Sequence, residues 1–205
     1  MEERDRSPER FAALTDGVVA IVMTLLALDV RLPVSAAGLS DRQLLAAIAA
    51  ALPNLFSYAL SFVVIAQFWL IHHRKFAGLR HVDNGLFWLN VLFLLCIGLV
   101  PFVTSVLAEN AGTVGTIAYA IVVAAASLAL TLTAIYAGAR ELVTGEAPEA
   151  TVRMTLIRSL LAGGVFLLSI PIALWNADIA KYFWLLLIPA GFAFRFLASP
   201  AKPPR

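Results

Sequence analysis

Cysteine is nearly missing from this chain. Cys96 stands alone, which excludes a disulfide framework and any multi-cysteine metal site. Charge is also scarce. Asp, Glu, Lys and Arg make up 14% of the residues, against about 25% in an ordinary soluble domain. The net charge of +2 is too small to imply a nucleic-acid partner. No Walker or dinucleotide-binding motif occurs, and no nucleophile, base and orienting group are arranged for hydrolysis, so no enzyme is expected. What is abundant is apolar side chain. Hydrophobic residues reach 61%, against about 45–50% in soluble domains, and the mean hydropathy is +0.88. This composition rules out disorder and argues against a soluble globular enzyme. It leaves an all-α integral membrane protein.

A chain of 205 residues holds roughly six spans of about 20 residues. Apolar segments are found at 11–32, 44–71, 85–108, 114–139, 154–175 (apolar throughout only from Leu160) and 179–196. A span must bond its backbone groups internally, so each is expected to be a helix. None shows the alternation of roughly 10-residue barrel strands. The loops are short, and none has room for a soluble domain. Residues 31–43 hold Pro33, Gly38 and the helix-start pair Ser40-Asp41. Residues 141–151 are polar, with Gly145 and Pro148. The expectation is one bundle over residues 1–205 without internal repeat. The N-terminus mixes charges, and its first apolar run is too long for the h-region of a cleaved signal and lacks an A-x-A site.

With that count both termini lie on one side. That side receives all but three of the 15 Lys and Arg residues, the exceptions being Arg31, Arg42 and Lys181. The positive-inside rule then puts both termini in the cytoplasm.

The first span carries an intramembrane acid. Asp16 lies six residues beyond Arg10. An ionised carboxylate in hydrocarbon must face a cavity, pair, or become neutral; the blander reading is a carboxylate at the interface that reaches water or backbone groups. Arg10 and Asp16 do not stack on a helix of 100° per residue, so their partners are expected on neighbouring helices. Asp29 sits near the other end of the span, about 20 Å along the axis. In a monomer it is expected to pair with Arg31 or Arg42; around a shared axis, copies of it would form an acidic ring that concentrates cations.

Residues 10–30 begin Arg10-Phe11-Ala12-Ala13-Leu14-Thr15-Asp16 and continue through Thr24-Leu25-Leu26 to Asp29. This stretch resembles the opening helix of the bacterial branch of the transmembrane protein 175 family, potassium channels whose animal member is lysosomal. Leu14-Thr15-Asp16 stands where that family usually has Phe-Ser-Asp; Thr15 keeps the hydroxyl, and Leu14 lacks the ring. Phe68-Trp69-Leu70-Ile71-His72-His73 is similar to the end of the family's second span, and Leu89-Asn90 with Pro101-Phe102 to its third.

The resemblance implies a homotetramer in a bacterial cell membrane, with one potassium pore on the four-fold axis lined by the first helix of each subunit. It implies no cofactor, only permeant potassium ions, and no filter loop. The implied pore positions are Ile21, Leu25 and Leu28 as an apolar gate and Thr24 as the selectivity ring. Arg10, Thr15, Asp16, Trp69 and either His72 or His73 are implied as a supporting polar network, with Asp29 at the outer mouth. Helical spacing independently puts Ile21, Thr24, Leu25 and Leu28 on one stripe. Such a stripe is also what an ordinary packing face looks like, and Trp69 with the histidines also fits interfacial anchoring.

Two features mislead. Thr113-Val114-Gly115-Thr116 looks like the start of a potassium filter, but no Tyr-Gly follows. Adjacent His72 and His73 diverge by about 100° and cannot share a metal from one helix face. The alternative function is a secondary transporter of a small cation or apolar solute, which needs a midplane site and usually internal pseudo-symmetry. A scaffold without transport, or an intramembrane enzyme, is a further rival.

Overall fold

A computed structural model describes residues 7–185 except 33, 34, 36, 111 and 144–148, with 149–159 and 162 described by backbone only. The described residues form an all-α bundle of six helices: α1 (Pro8–Leu28), α2 (Asp41–Phe76), α3 (Asn84–Glu109), α4 (Thr113–Ala139), α5 (Glu149–Trp175) and α6 (Ala177–Trp184). The first four are long and apolar enough to cross a membrane. In α5 the apolar stretch Gly163–Trp175 is shorter. The expected sixth span is described only to Leu185, and its remainder, 186–196, lies outside the described residues. So do Pro33, Gly145 and Pro148 of the expected loops, and Arg4, Arg6, Arg195, Lys202 and Arg205 of the expected basic side.

Local chemistry explains the helix ends. Pro8 follows the N-cap Ser7 of α1 and Glu9 sits in the first turn, where a missing N–H and a negative charge are both favourable. The helix stops at Leu28, four residues short of the expected end. Arg31 Nε donates to the Leu28 carbonyl at 3.0 Å and satisfies one of the terminal acceptors. Pro33 further disfavours helix at Leu32. At the start of α2, Gln43 Oε1 accepts from the Ser40 N–H at 3.0 Å and from Ser40 Oγ at 2.9 Å. This helix starts where Ser40-Asp41 signals it and runs past the expected end at Ile71. Its 36 residues extend about 54 Å. His73, Arg74 and Lys75, expected in or beside a loop, form its last turn, where positive charge complements the helix dipole.

Helix α3 is capped by Asp83, whose Oδ1 accepts from the Leu86 N–H at 2.9 Å. The filter-like Thr113-Val114-Gly115-Thr116 is the first turn of α4, behind the N-cap Gly112. Asn176 Oδ1 caps α6 by accepting from the N–H groups of Asp178 and Ile179. Pro53, Pro101 and Pro171 lie inside helices.

The main core joins Val19, Val22 and Leu26 of α1 to Ile65 and Phe68 of α2, Phe93, Ile97 and Val100 of α3, and Tyr119, Ala120 and Val123 of α4. A second cluster sits where α1 begins and α2 ends. It holds Phe11, Phe76, Leu79, Val82, Leu86, Ala137 and Leu142. In lipid the outer faces keep apolar side chains, so close packing and small residues, more than water exclusion, hold helices together. Gly163 illustrates this: a Cβ there would lie 2.9 Å from Ser127 Oγ of α4.

A candidate pore helix and its polar anchor

Helix α1 has two faces. Phe11, Thr15, Val19, Val22 and Leu26 are buried against the bundle. The other face is uncovered. Leu14 is 48% exposed, Ile21 61%, Leu25 44% and Leu28 63%. Thr24 is exposed beside them. The stripe Ile21, Thr24, Leu25 and Leu28 therefore does not pack into its own subunit. Thr24 Oγ1 donates to the Ile21 carbonyl at 2.7 Å. With its proton committed to the helix, the hydroxyl presents acceptor lone pairs outward. Asp29 is the C-cap residue of α1 and is exposed. Among the described residues it forms no salt bridge with Arg31 or Arg42.

Polar groups near the Phe11 end anchor the helix, an exposed pair at Asp16 and a buried set at Thr15. Trp69 Nε1 donates to Asp16 Oδ1 at 2.7 Å. The adjacent Thr15 points inward and is fully buried. Its Oγ1 lies 3.4 Å from His72 Nε2 and donates to Asn90 Oδ1 at 3.4 Å. The short bond of the group joins His72 Nε2 to Asn90 Oδ1 at 2.8 Å. With the Asn90 carbonyl as acceptor, Nε2 carries the imidazole proton. The His72 ring is stacked between Phe76, at 4.1 Å, and Phe93, at 5.3 Å. One triad thus links α1, α2 and α3.

Of the two histidines, His72 enters this network. His73 is exposed and lies 5.5 Å from the Trp69 ring. Arg10 is exposed in the first turn of α1. Asn90 was not among the sequence candidates. Its signal was present: a lone amide inside the apolar run 85–108 needs a partner once buried. A second polar cluster has no comparable sequence signal. Ser61 Oγ lies 2.8 Å from Thr104 Oγ1 and donates to the Tyr119 hydroxyl at 3.0 Å, joining α2, α3 and α4. Single hydroxyl residues in apolar runs are too common to flag such a site.

At the end of the bundle where α1 begins, Tyr136 Oη donates to Asp83 Oδ2 at 2.8 Å, and Arg140 Nε donates to Tyr136 Oη at 3.4 Å. Burial acts to raise the Asp83 carboxyl. The Leu86 N–H, the Tyr136 hydroxyl and the Arg140 charge outweigh it and hold the group below its ordinary value. Lys75 Nζ donates to the Leu130 carbonyl at 2.8 Å, tying the last turn of α2 to α4.

Comparison with known proteins places this arrangement. Residues 10–101 match the family described as the endosomal/lysosomal potassium channel TMEM175. The chain is 38% identical over 125 residues to a protein of Streptomyces collinus named potassium channel, covering 58% of this chain and 59% of that one. It is 36% identical over 104 residues to a Chamaesiphon minutus protein also named potassium channel, covering 49% of each. A human relative, named endosomal/lysosomal proton channel TMEM175, is 36% identical over 100 residues, covering 46% of this chain and 20% of that one. The chain thus spans about half the length of the bacterial relatives it matches. In structure it resembles the crystallised TMEM175 homologue from Chamaesiphon minutus, with a TM-score of 0.78 and 23% identity over 94% of this chain and 98% of that chain. Residues 10–101 match that family, and nearly the whole chain shares the fold of the crystallised homologue, in line with the resemblance read from the first helix.

Proposed function

We propose that four copies of this chain assemble around α1 and conduct potassium passively across a bacterial cell membrane, with both termini in the cytoplasm. The observation that carries this reading is the exposed stripe Ile21, Thr24, Leu25 and Leu28 on a helix whose opposite face is packed and hydrogen-bonded into the subunit. Four such stripes facing one axis make stacked aliphatic rings. Such rings exclude most water, and a passing ion meets a barrier set by its dehydration. Ile21 is the narrowest ring and the gate, with Leu25 and Leu28 extending it.

Thr24 sets the ion preference. Its outward lone pairs stand in for part of the lost water. Potassium holds water less tightly than sodium and loses less by partial dehydration, so selectivity is modest and favours potassium. Divalent ions lose most and are excluded. Asp29 gathers cations at the mouth. Asp16, Trp69, Thr15, His72 and Asn90 keep α1 from rotating, and Arg10 and His73 border this network. The electrochemical gradient drives flow, so no cofactor takes part.

The test is potassium flux from proteoliposomes holding the purified chain. Downhill flux faster than an alternating-access cycle is expected. Ile21→Asn should wet the constriction, raise leak and lower potassium preference. Absence of flux removes the proposal. Parental conduction in Ile21→Asn removes Ile21 as the gate. Slow saturable exchange favours a transporter, and a current carried by protons places the chain beside the animal relatives by name.

A further inference from the structure

A groove of about 200 Å³ opens between α2, α3 and α6 at the end of the bundle where α1 terminates. Its apolar wall is Pro53 and Phe56 of α2, Leu107 and Ala108 of α3 and Tyr182 of α6; Ser57 of α2 and Asp178 and Lys181 of α6 complete the lining. Phe56 is 42% exposed and Tyr182 67%, so the groove faces away from the core, where lipid is the solvent. Its level in the bilayer follows from the helix ends. Leu107 and Ala108 form the last turn of α3, and Asp178 lies in the first turn of α6. Helix ends of this kind meet the headgroup layer, and exposed Tyr is typical of that layer.

The charges form a close pair. Lys181 Nζ lies 2.7 Å from Asp178 Oδ1. The two side chains differ in cover: Lys181 is 16% exposed and Asp178 is 76% exposed. The cation is thus held against the groove while the carboxylate stands outward. We propose that this groove binds a membrane phospholipid with a phosphoethanolamine headgroup. The phosphate sits on Lys181, the ammonium on Asp178, and the start of one acyl chain lies along Pro53, Phe56 and Leu107.

Three physical arguments select this ligand. The groove of about 200 Å³ has an apolar wall and room for the upper part of one acyl chain. A zwitterion satisfies both members of the ion pair, whereas a purely anionic headgroup sets a second negative charge beside Asp178. An ethanolamine ammonium donates N–H bonds to a carboxylate, and a choline headgroup has none to donate. The inference stands apart from ion conduction.

The experiment is native mass spectrometry of the purified, delipidated full chain, titrated with phosphatidylethanolamine, phosphatidylcholine and phosphatidylglycerol. Phosphatidylethanolamine is expected to bind about tenfold more tightly than the other two. Lys181→Gln should weaken it by about tenfold, and Asp178→Asn should abolish its advantage over phosphatidylglycerol. Ala108→Phe leaves the ion pair in place and fills the groove, so it should prevent binding with both charges intact. Each variant is compared after eluting at the parental volume in gel filtration. Equal affinity for the three lipids overturns the proposal, and so does parental binding of phosphatidylethanolamine by either Lys181→Gln or Ala108→Phe.

Discussion

The Thr24 hydroxyl turns its proton toward the Ile21 carbonyl, so only its lone pairs remain for whatever passes the helix. Thr24→Val keeps the shape and removes that oxygen. The expected result is a smaller difference between potassium and sodium reversal potentials under bi-ionic conditions; unchanged potentials would exclude Thr24 from selectivity. The His72–Asn90 pair makes a second prediction at this scale. Replacing Asn90 with Leu strands the Nε2 proton between two aromatic rings. An unsatisfied buried donor costs about 1–3 kcal/mol. Thr15→Val should cost less, because its three contacts are long, at 3.4, 3.4 and 3.5 Å. Thermal unfolding in detergent checks the order, and equal losses would show that the triad acts as one unit.

Helices are joined here by a few specific contacts. At the start of α3, Gly85 packs so closely under the Tyr136 ring that any Cβ would collide with it. Gly85→Ala should therefore push Tyr136 away from Asp83 and loosen α3 from α4. The same contact is pH-dependent. The folded Asp83 pKa lies below the ordinary value, so its stabilisation is complete above the unfolded value of about 3.9. It is lost as pH falls through the lower folded value. Asp83→Asn should destabilise the protein at neutral pH and flatten its stability profile in acid. A parental acid limb in that variant would assign the limb to another group. Helix α1 follows a different logic, with one face bound to α2 and α3 and the other left bare. Its anchors lie near one end, which leaves the Leu28 end held mainly by Val22 and Leu26.

For the whole molecule, the expected assembly has four chains of 22.0 kDa. Mass measurement in detergent by multi-angle scattering should give a tetramer whose potassium flux is lost when the chains separate. A monomer with full flux would remove the shared pore. Composition and period were enough to read much of this protein. A scarcity of charge and long apolar runs specify a bilayer solvent, and backbone bonding in lipid then demands helices. Ser40 with Gln43 marks the start of α2 by local bonds. The exposed stripe of α1 is visible as spacing on one helix. Only the tertiary structure decided that the stripe is left uncovered, that His72 and not His73 turns inward, and that Asn90 receives it. Those outcomes depend on partners such as Thr15 and Asn90, 75 positions apart in the chain. Local pattern carries a side chain's period along its own helix, but which neighbour meets it is settled only when the helices pack.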